Sequence, residues 1–289
     1  MEKMHGYADM NDYILTLSCP DKIGLVSTVS TWLFNHDCNI IESDQYGDTP
    51  SNRFFMRIHF VGQQELHELD ESFQGIANSH EMDFQIWPMK RKLRVLVLVS
   101  KFDHCLIDLI YRAKTGELPI EIVKVISNHD TVRPIVDSEA IPFEHLEVSA
   151  KTKPEQEARI SDCIKELEVD LTVLARYMQI LSADFCSAHE GRIINIHHSF
   201  LPGFKGAKPY QQAFDHGVKL IGATAHYVTA DLDEGPIIDQ DVERVDHRMS
   251  VTELAQVGRD IERIVLARAV RSHAEHRALI NGHRTVVFQ

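Results

Sequence analysis

The sequence predicts an α/β protein built as two units: a small βαββαβ fold, then a doubly wound, mostly parallel sheet. Three observations lead there. A length of 289 residues exceeds a typical single domain. The first part interleaves two helical patterns among four strand patterns, and from Leu93 onward strands and helices alternate.

Taken in order, "DYILTLSC" alternates apolar and polar residues and reads as a strand. "PDKIGLVSTVSTWLFNHD" follows with Ile23, Val26, Val29, Leu33 and Phe34 at helical spacing, which predicts a helix burying that stripe. "NIIESDQYGD" and "RFFMRIHFVG" read as strands joined by the turn residues Asp48, Pro50 and Asn52. "QQELHELDESFQGIANSH" is an amphipathic helix and "MDFQIWP" a last strand, which completes a ferredoxin-like unit. The basic run "MKRKLR" after Pro88 reads as a linker, so the first unit is expected over residues 1–88 and the second over 89–289.

In the second unit "LRVLVLVS", "IEIVKVIS", "VDLTVLA" and "RIINIHHS" read as strands. "HCLIDLIYRAK" and "KPEQEARISDCIKELE" read as the helices between them. "SVTELAQVGRDIERIVLARAVRSH" reads as a long closing helix, with Ser250 and Glu253 at capping-box spacing. Ligands of such sheets bind beyond the carboxyl ends of the strands, which points to the end of "RIINIHHS".

Composition narrows the function classes. A formal net charge of −13 argues against a general nucleic-acid or anionic-membrane surface. "MEKMHGYADMNDY" has no apolar signal core, and "LRVLVLVS" is far too short to span a bilayer. Five scattered cysteines without a C-x-x-C form neither a disulfide framework nor a zinc ribbon, so reduced thiols in a cytoplasmic protein are expected.

The dense polar stretch is "NIHHSFLPGFKGAKPY". Asn195 and His197 sit two apart at a strand end, so both point to one face and make an oxyanion-stabilising pair. His198, on the opposite phase, is expected to be packed or structural. Downstream, "HYVTADLDEGPII" offers Asp233 in a loop bearing Gly and Pro, where a carboxylate aimed at His197 favours its protonated form or takes a proton from water. Taken alone, an Asn and a His at a strand end also suit a solvated turn. Ser199 lacks a G-x-S-x-G elbow. No histidines pair as H-E-x-x-H, and "DLDEGPIIDQDVE" fails as a calcium loop at Gly235 and Val242, so no metal is expected.

"NIHHSFLP", followed about thirty residues on by "HYVTADLDEGPII", resembles the formyltransferase superfamily, which handles 10-formyltetrahydrofolate. The resemblance runs from about Leu93 to Gln289 and places the family's catalytic Asn, His and Asp on Asn195, His197 and Asp233. It puts "ARYMQIL" at the pterin pocket, so that Met178, Gln179, Ile180 and Leu181 bind substrate, with His226 bracing the loop at the pocket's edge. The N-terminal unit resembles an ACT domain, with "PDKIG" opening its first helix. That likeness implies edge-to-edge pairing into a homo-oligomer, dimer or tetramer. It also implies an amino-acid effector, glycine or methionine, at Asp21, Gly24 and Leu25, although a plain dimerisation module fits equally.

Relatives that formylate a phosphorylated amine carry a glycine-rich loop after the first strand, where backbone amides approach phosphate. Here "VSKFDHCLIDLIYR" has no glycine. The resemblance is therefore to the hydrolytic branch, which gives the formyl group to water. It implies release of formate and tetrahydrofolate without a cofactor, supplying purine synthesis and balancing one-carbon pools. Transfer to a small non-phosphorylated amine is the alternative, and a non-catalytic folate or amino-acid sensor is a third reading.

Overall fold

The computed structural model describes residues 10–149, 151–201 and 209–289. Clustering of contacts divides the chain into two units. The first contains β1 (Asn11–Pro20), α1 (Leu25–Asn35), β2 (Asn39–Asp48), β3 (Arg53–Gly62), α2 (Leu66–His80) and β4 (Asp83–Pro88). Its sheet has the order β2-β3-β1-β4, with every neighbouring pair antiparallel. The predicted βαββαβ order is the observed one. Both helices cover one face, where Leu15, Leu17, Phe60 and Phe73 meet in the core.

The buried stripe of α1 differs from the expected one. Leu25, Val29, Trp32 and Leu33 are buried, whereas Ile23 precedes the helix and is exposed, as are Val26 and Phe34. The chain turns at Gly24, which has φ +95°, so the helix starts later than the apolar spacing suggested. Trp32 then fixes the phase. Its ring meets Phe73 edge-on at 4.7 Å, and its Nε1 donates to Ser72 Oγ at 3.1 Å.

The unit boundary also differs from the expected division at residues 88 and 89. The first unit runs to Arg91 and takes back Glu275–Leu279 and Val286–Gln289. A buried guanidinium explains the return. Arg57 pairs with Glu42 at 2.6 Å, and its Nε donates to the Glu275 carbonyl at 3.1 Å. Arg277 adds a second cation to Glu42 at 3.2 Å, and His276 stacks on Trp87 at 4.3 Å. None of these pairings follows a sequence period.

The second unit begins with β5 (Leu93–Val99), α3 (His104–Thr115), β6 (Ile120–Ser127), α4 (Arg133–Ser138), β7 (Phe143–His145) and α5 (Lys153–Glu166). It continues through β8 (Leu171–Ala175), α6 (Ala183–Ala188), β9 (Ile193–His197), α7 (Pro209–His216), β10 (Leu220–Tyr227), β11 (Ile237–Arg244) and α8 (Val251–Ala274). A short hairpin of β12 (Ala278–Asn281) and β13 (Arg284–Val287) ends the chain. The seven-stranded sheet has the order β11-β10-β9-β8-β5-β6-β7. Strands β9 to β7 run parallel, and β10 and β11 are antiparallel additions at one edge. The chain enters at β5, builds outward through β6 and β7, then returns to the other side at β8. The switch point therefore lies between β5 and β8, and the crevice beyond their carboxyl ends is the natural site. At the start of α8 the expected capping box is present: Glu253 N donates to Ser250 Oγ at 3.3 Å, and Ser250 N to Glu253 Oε2 at 2.7 Å.

Two histidines of this unit contribute to its acid sensitivity. Desolvation pushes His198 and His273 down to about 4, with the charges of Arg176 and His197 adding to the effect at His198. The unfolded chain protonates both near their ordinary 6.5, while the folded state resists until about 4. The unfolded state thus binds more protons in this window, and stability falls as pH drops through it, levelling off below. His273 accepts from the Tyr227 hydroxyl at 2.8 Å, so His273→Gln keeps an acceptor there. Urea midpoints measured across the window are expected to show a shallower acid decline for that variant than for the parent. An unchanged slope refutes the assignment.

Candidate active site

Strands β9 and β10 pair so that Asn195 lies opposite His226 and His197 opposite Thr224. The two-residue period aims Asn195 and His197 at one face, as the sequence implied. Asn195 Nδ2 lies 3.2 Å from His226 Nε2, and His226 Nδ1 lies 2.9 Å from the Tyr227 carbonyl. A carbonyl only accepts, so Nδ1 carries a proton; in the neutral ring Nε2 then accepts from the Asn195 amide. This fixes the direction in which the amide points.

Asp233 arrives from the loop between β10 and β11. Tyr227 N donates to the Pro236 carbonyl at 2.9 Å, and Gly235 crosses directly over the Tyr227 carbonyl. A Cβ on Gly235 would lie 1.7 Å from that oxygen, so only glycine permits the crossing. Asp233 itself adopts φ +56°, a left-handed conformation that Asp tolerates better than most residues. Its Oδ2 lies 3.2 Å from His197 Nδ1 and its Oδ1 3.6 Å from His226 Nε2. Burial alone would raise this carboxyl, but the hydrogen bond and charge from His197 lead in outweighing it and hold the group well below the usual carboxylate range. His197 Nε2 is buried and has no hydrogen-bond partner among the described residues.

These groups line a cavity of about 230 Å³ together with Met178, Gln179, Ile180 and Leu181. The structure therefore brings together all eight catalytic and substrate-binding residues expected from the sequence. Met178 and Ile180 expose apolar surface there. Met178 N donates to Ser100 Oγ at 2.9 Å, which ties this segment to the carboxyl end of β5. His198 departs from expectation. It follows the last residue of β9, so strand alternation no longer governs it, and it lines the same cavity. The turn after it is pinned by Thr224: Thr224 Oγ1 donates to the Ser199 carbonyl at 2.9 Å and accepts from Leu201 N at 3.0 Å. Pro202, with the rest of the motif to Lys208, lies outside the described residues.

The expected regulatory residues lie in the first unit. Gly24 precedes α1 and Asp21 is exposed, but the Leu25 side chain is buried in the core and offers a ligand no surface.

Sequence reasoning missed a buried cluster around Glu262 in α8. Tyr210 donates to its Oε1 at 2.6 Å, His104 Nε2 contacts its Oε2 at 2.8 Å, and Arg176 Nε approaches Oε2 at 3.4 Å. Burial pushes Glu262 up, and His104, Arg176 and Tyr210 outweigh it to hold the carboxyl below its ordinary value. The signal was an acid next to Ile261 within the stripe Leu254, Gly258, Ile261 and Val265. His104, Cys105 and Glu262 come within 4.8 Å of one another, but the carboxylate is already occupied by donors, including a guanidinium, so the set does not suit a cation.

Gly235→Ala is the test of the loop crossing. The added methyl is expected to displace Asp233 from His197 and to lower kcat/KM by about 100-fold, with the global fold retained. Parent-like kinetics for this variant would show that the crossing does not set the geometry.

Residues 93–270 match the family described as Formyl transferase. A formyltetrahydrofolate deformylase of Bacillus subtilis is 48% identical, over 99% of this chain and 98% of its own. The crystal structure of the formyltetrahydrofolate deformylase of Burkholderia mallei superposes with a TM-score of 0.93 at 48% identity, covering 96% of this chain and 100% of that one. That of Pseudomonas syringae gives a TM-score of 0.95 at 44% identity, covering 98% and 96%. The likeness thus spans both units and includes the strand that carries Asn195 and His197 and the loop that carries Asp233, and the chain belongs to the formyl transferase family and, within it, to the formyltetrahydrofolate deformylases.

Proposed function

We propose that this site hydrolyses 10-formyltetrahydrofolate to formate and tetrahydrofolate, with Asn195, His197 and Asp233 carrying the chemistry. The observation that supports it most is the His197–Asp233 pair at 3.2 Å, which leaves His197 Nε2 unpartnered among the described residues, on a residue that lines the cavity. The volume of about 230 Å³ suits the pterin head against Met178 to Leu181 and leaves the rest of the folate outside, since pockets enclosing a whole drug-sized ligand run to about 300–1,000 Å³.

Water attacks the formyl carbon, and charge develops on the formyl oxygen. The Asn195 amide and His197 Nε2–H donate to it; one such donor is worth roughly 3 kcal/mol. Asp233 stays ionised, so it orients the water and balances the imidazolium instead of storing a proton. As the C–N bond breaks, His197 protonates the leaving nitrogen, and the proton lost by the water replaces the one given up. Asn, His and Asp together complete the charge handling, so the reaction calls for neither a metal nor another cofactor. The Ser100–Asp103 segment that follows β5 offers no glycine for a phosphate cradle, which favours water over a phosphorylated amine as acceptor.

The first unit is proposed to assemble the protein as a homo-oligomer and to bind an amino acid, glycine or methionine, near Asp21 and Gly24. Exposed Val26 and Phe34 on α1, with Ile40, Ile41 and Tyr46 on the edge strand β2, are an apolar surface that a second copy would cover. A cytoplasmic setting suits five free thiols, and among the described residues no helix is long and apolar enough to cross a membrane.

Replacing Asn195, His197 or Asp233 with Ala is expected to lower turnover by at least about 100-fold with the fold intact. Near-normal kinetics for His197→Ala removes the mechanism. Purified protein given 10-formyltetrahydrofolate and no amine is expected to release formate and tetrahydrofolate in equal amounts. Faster formylation of some added amine would make the chain a transferase.

A further inference from the structure

Arg176 takes no part in the steps above, yet it lines the same cavity as His197 and Asp233. It adopts φ +62°, a left-handed conformation uncommon for non-glycine residues. The residue is only 8% exposed. Its guanidinium lies 5.4 Å from the Phe102 ring and 3.4 Å from Glu262 Oε2. That carboxylate is shared: Oε1 accepts from Tyr210 and Oε2 engages His104. Arg176 Nε and Nη1 make no hydrogen bond among the described residues.

A buried cation with unfilled donors calls for an acceptor. The reaction produces one in the same cavity. Water adds its oxygen to the formyl carbon, the C–N bond breaks with a proton going to nitrogen, and the resulting formic acid ionises to a carboxylate. A guanidinium is the side chain best matched to a carboxylate. We propose that Arg176, in the cavity that His198 also lines, binds the one-carbon carboxylate product, drawing formate away from the reacting carbon before it leaves. This rests on the hydrolytic reading of the site. Arg176 is a product-binding residue here, and Glu262 positions it from behind.

The test uses the full-length protein and formate itself. Line broadening of 13C-formate reads binding without turnover, so failure of the hydrolytic reading, seen as no formate released from substrate, stays separate. Formate is expected to bind the parent and to inhibit it as a product. Arg176→Gln should weaken that binding by about tenfold or more, and Arg176→Lys should restore part of it. Glu262→Gln, which removes the competing carboxylate, should bind formate more tightly than the parent. Equal formate binding by the parent and Arg176→Gln overturns the proposal. So does a raised KM for 10-formyltetrahydrofolate with formate binding unchanged, because Arg176 would then hold a carboxylate of the substrate. If the variants fail to fold, absence of 13C-formate broadening with the parent alone overturns it.

Discussion

The passage of Gly235 over the Tyr227 carbonyl is the contact on which the site depends. A loop joining two antiparallel strands normally stands off from them by the width of a side chain. Here no side chain intervenes, and the loop lies on the backbone of β10. Asp233 is thereby brought within hydrogen-bond reach of His197, on the neighbouring strand. The same carbonyl accepts a hydrogen bond from His226 Nδ1–H, which turns Nε2 toward the Asn195 amide. One backbone oxygen therefore orients both the carboxylate loop and the amide. Such groups need no reorganisation when charge appears, which is the condition under which fixed dipoles contribute most to a barrier.

Asp233, half-buried, and Glu262, fully buried, both lie in the second unit, and their surroundings suit different work. Asp233 is flanked by two imidazoles, side chains that can both donate and accept a proton. Glu262 is held by a hydroxyl, an imidazole and a guanidinium, and the guanidinium never gives up its proton. The first arrangement handles a proton; the second fixes a cation. Burying either carboxylate without its partners would cost several kcal/mol. Gly258 belongs to the second arrangement, because a Cβ there would lie 2.0 Å from the Tyr210 hydroxyl oxygen and block its approach to Glu262.

Much of this was legible in the sequence, for identifiable reasons. Long periodic segments such as "LRVLVLVS" and α8 declare themselves, and Asn195, His197 and Asp233 stand in motifs of fixed spacing. Period-two geometry placed Asn195 and His197 on one face because both lie within β9. It failed for His198, one residue past the strand, where alternation has no backbone to enforce it. The stripe of α1 was misread because its start depends on the left-handed turn at Gly24, which composition does not reveal. α4, β7 and α6 are too short to show a period. Arg176 and Glu262, remote in sequence, become a pair only when α8 packs against the sheet. The return of the chain end to Arg57 is likewise a tertiary demand, made by one buried guanidinium.

The choice between water and an amine as acceptor also has a local basis. A phosphate cradle needs backbone N–H groups that point outward and are not already bonded. Directly after β5 the polar groups of Ser100 are instead satisfied within the fold. Ser100 N donates to the Arg176 carbonyl at 3.3 Å, and Ser100 Oγ donates to Asn128 Oδ1 at 2.7 Å while accepting from Met178 N. Phe102 lies against the Arg176 guanidinium. The segment therefore closes on the end of β8 and ties down the cavity wall at Met178. An amine bearing a phosphate finds no anchor in it, whereas water needs no anchor beyond the reacting groups. Hydrolysis is then the reaction left when positioning energy for a second substrate is absent. The same residues that withhold that energy hold the cavity wall in place.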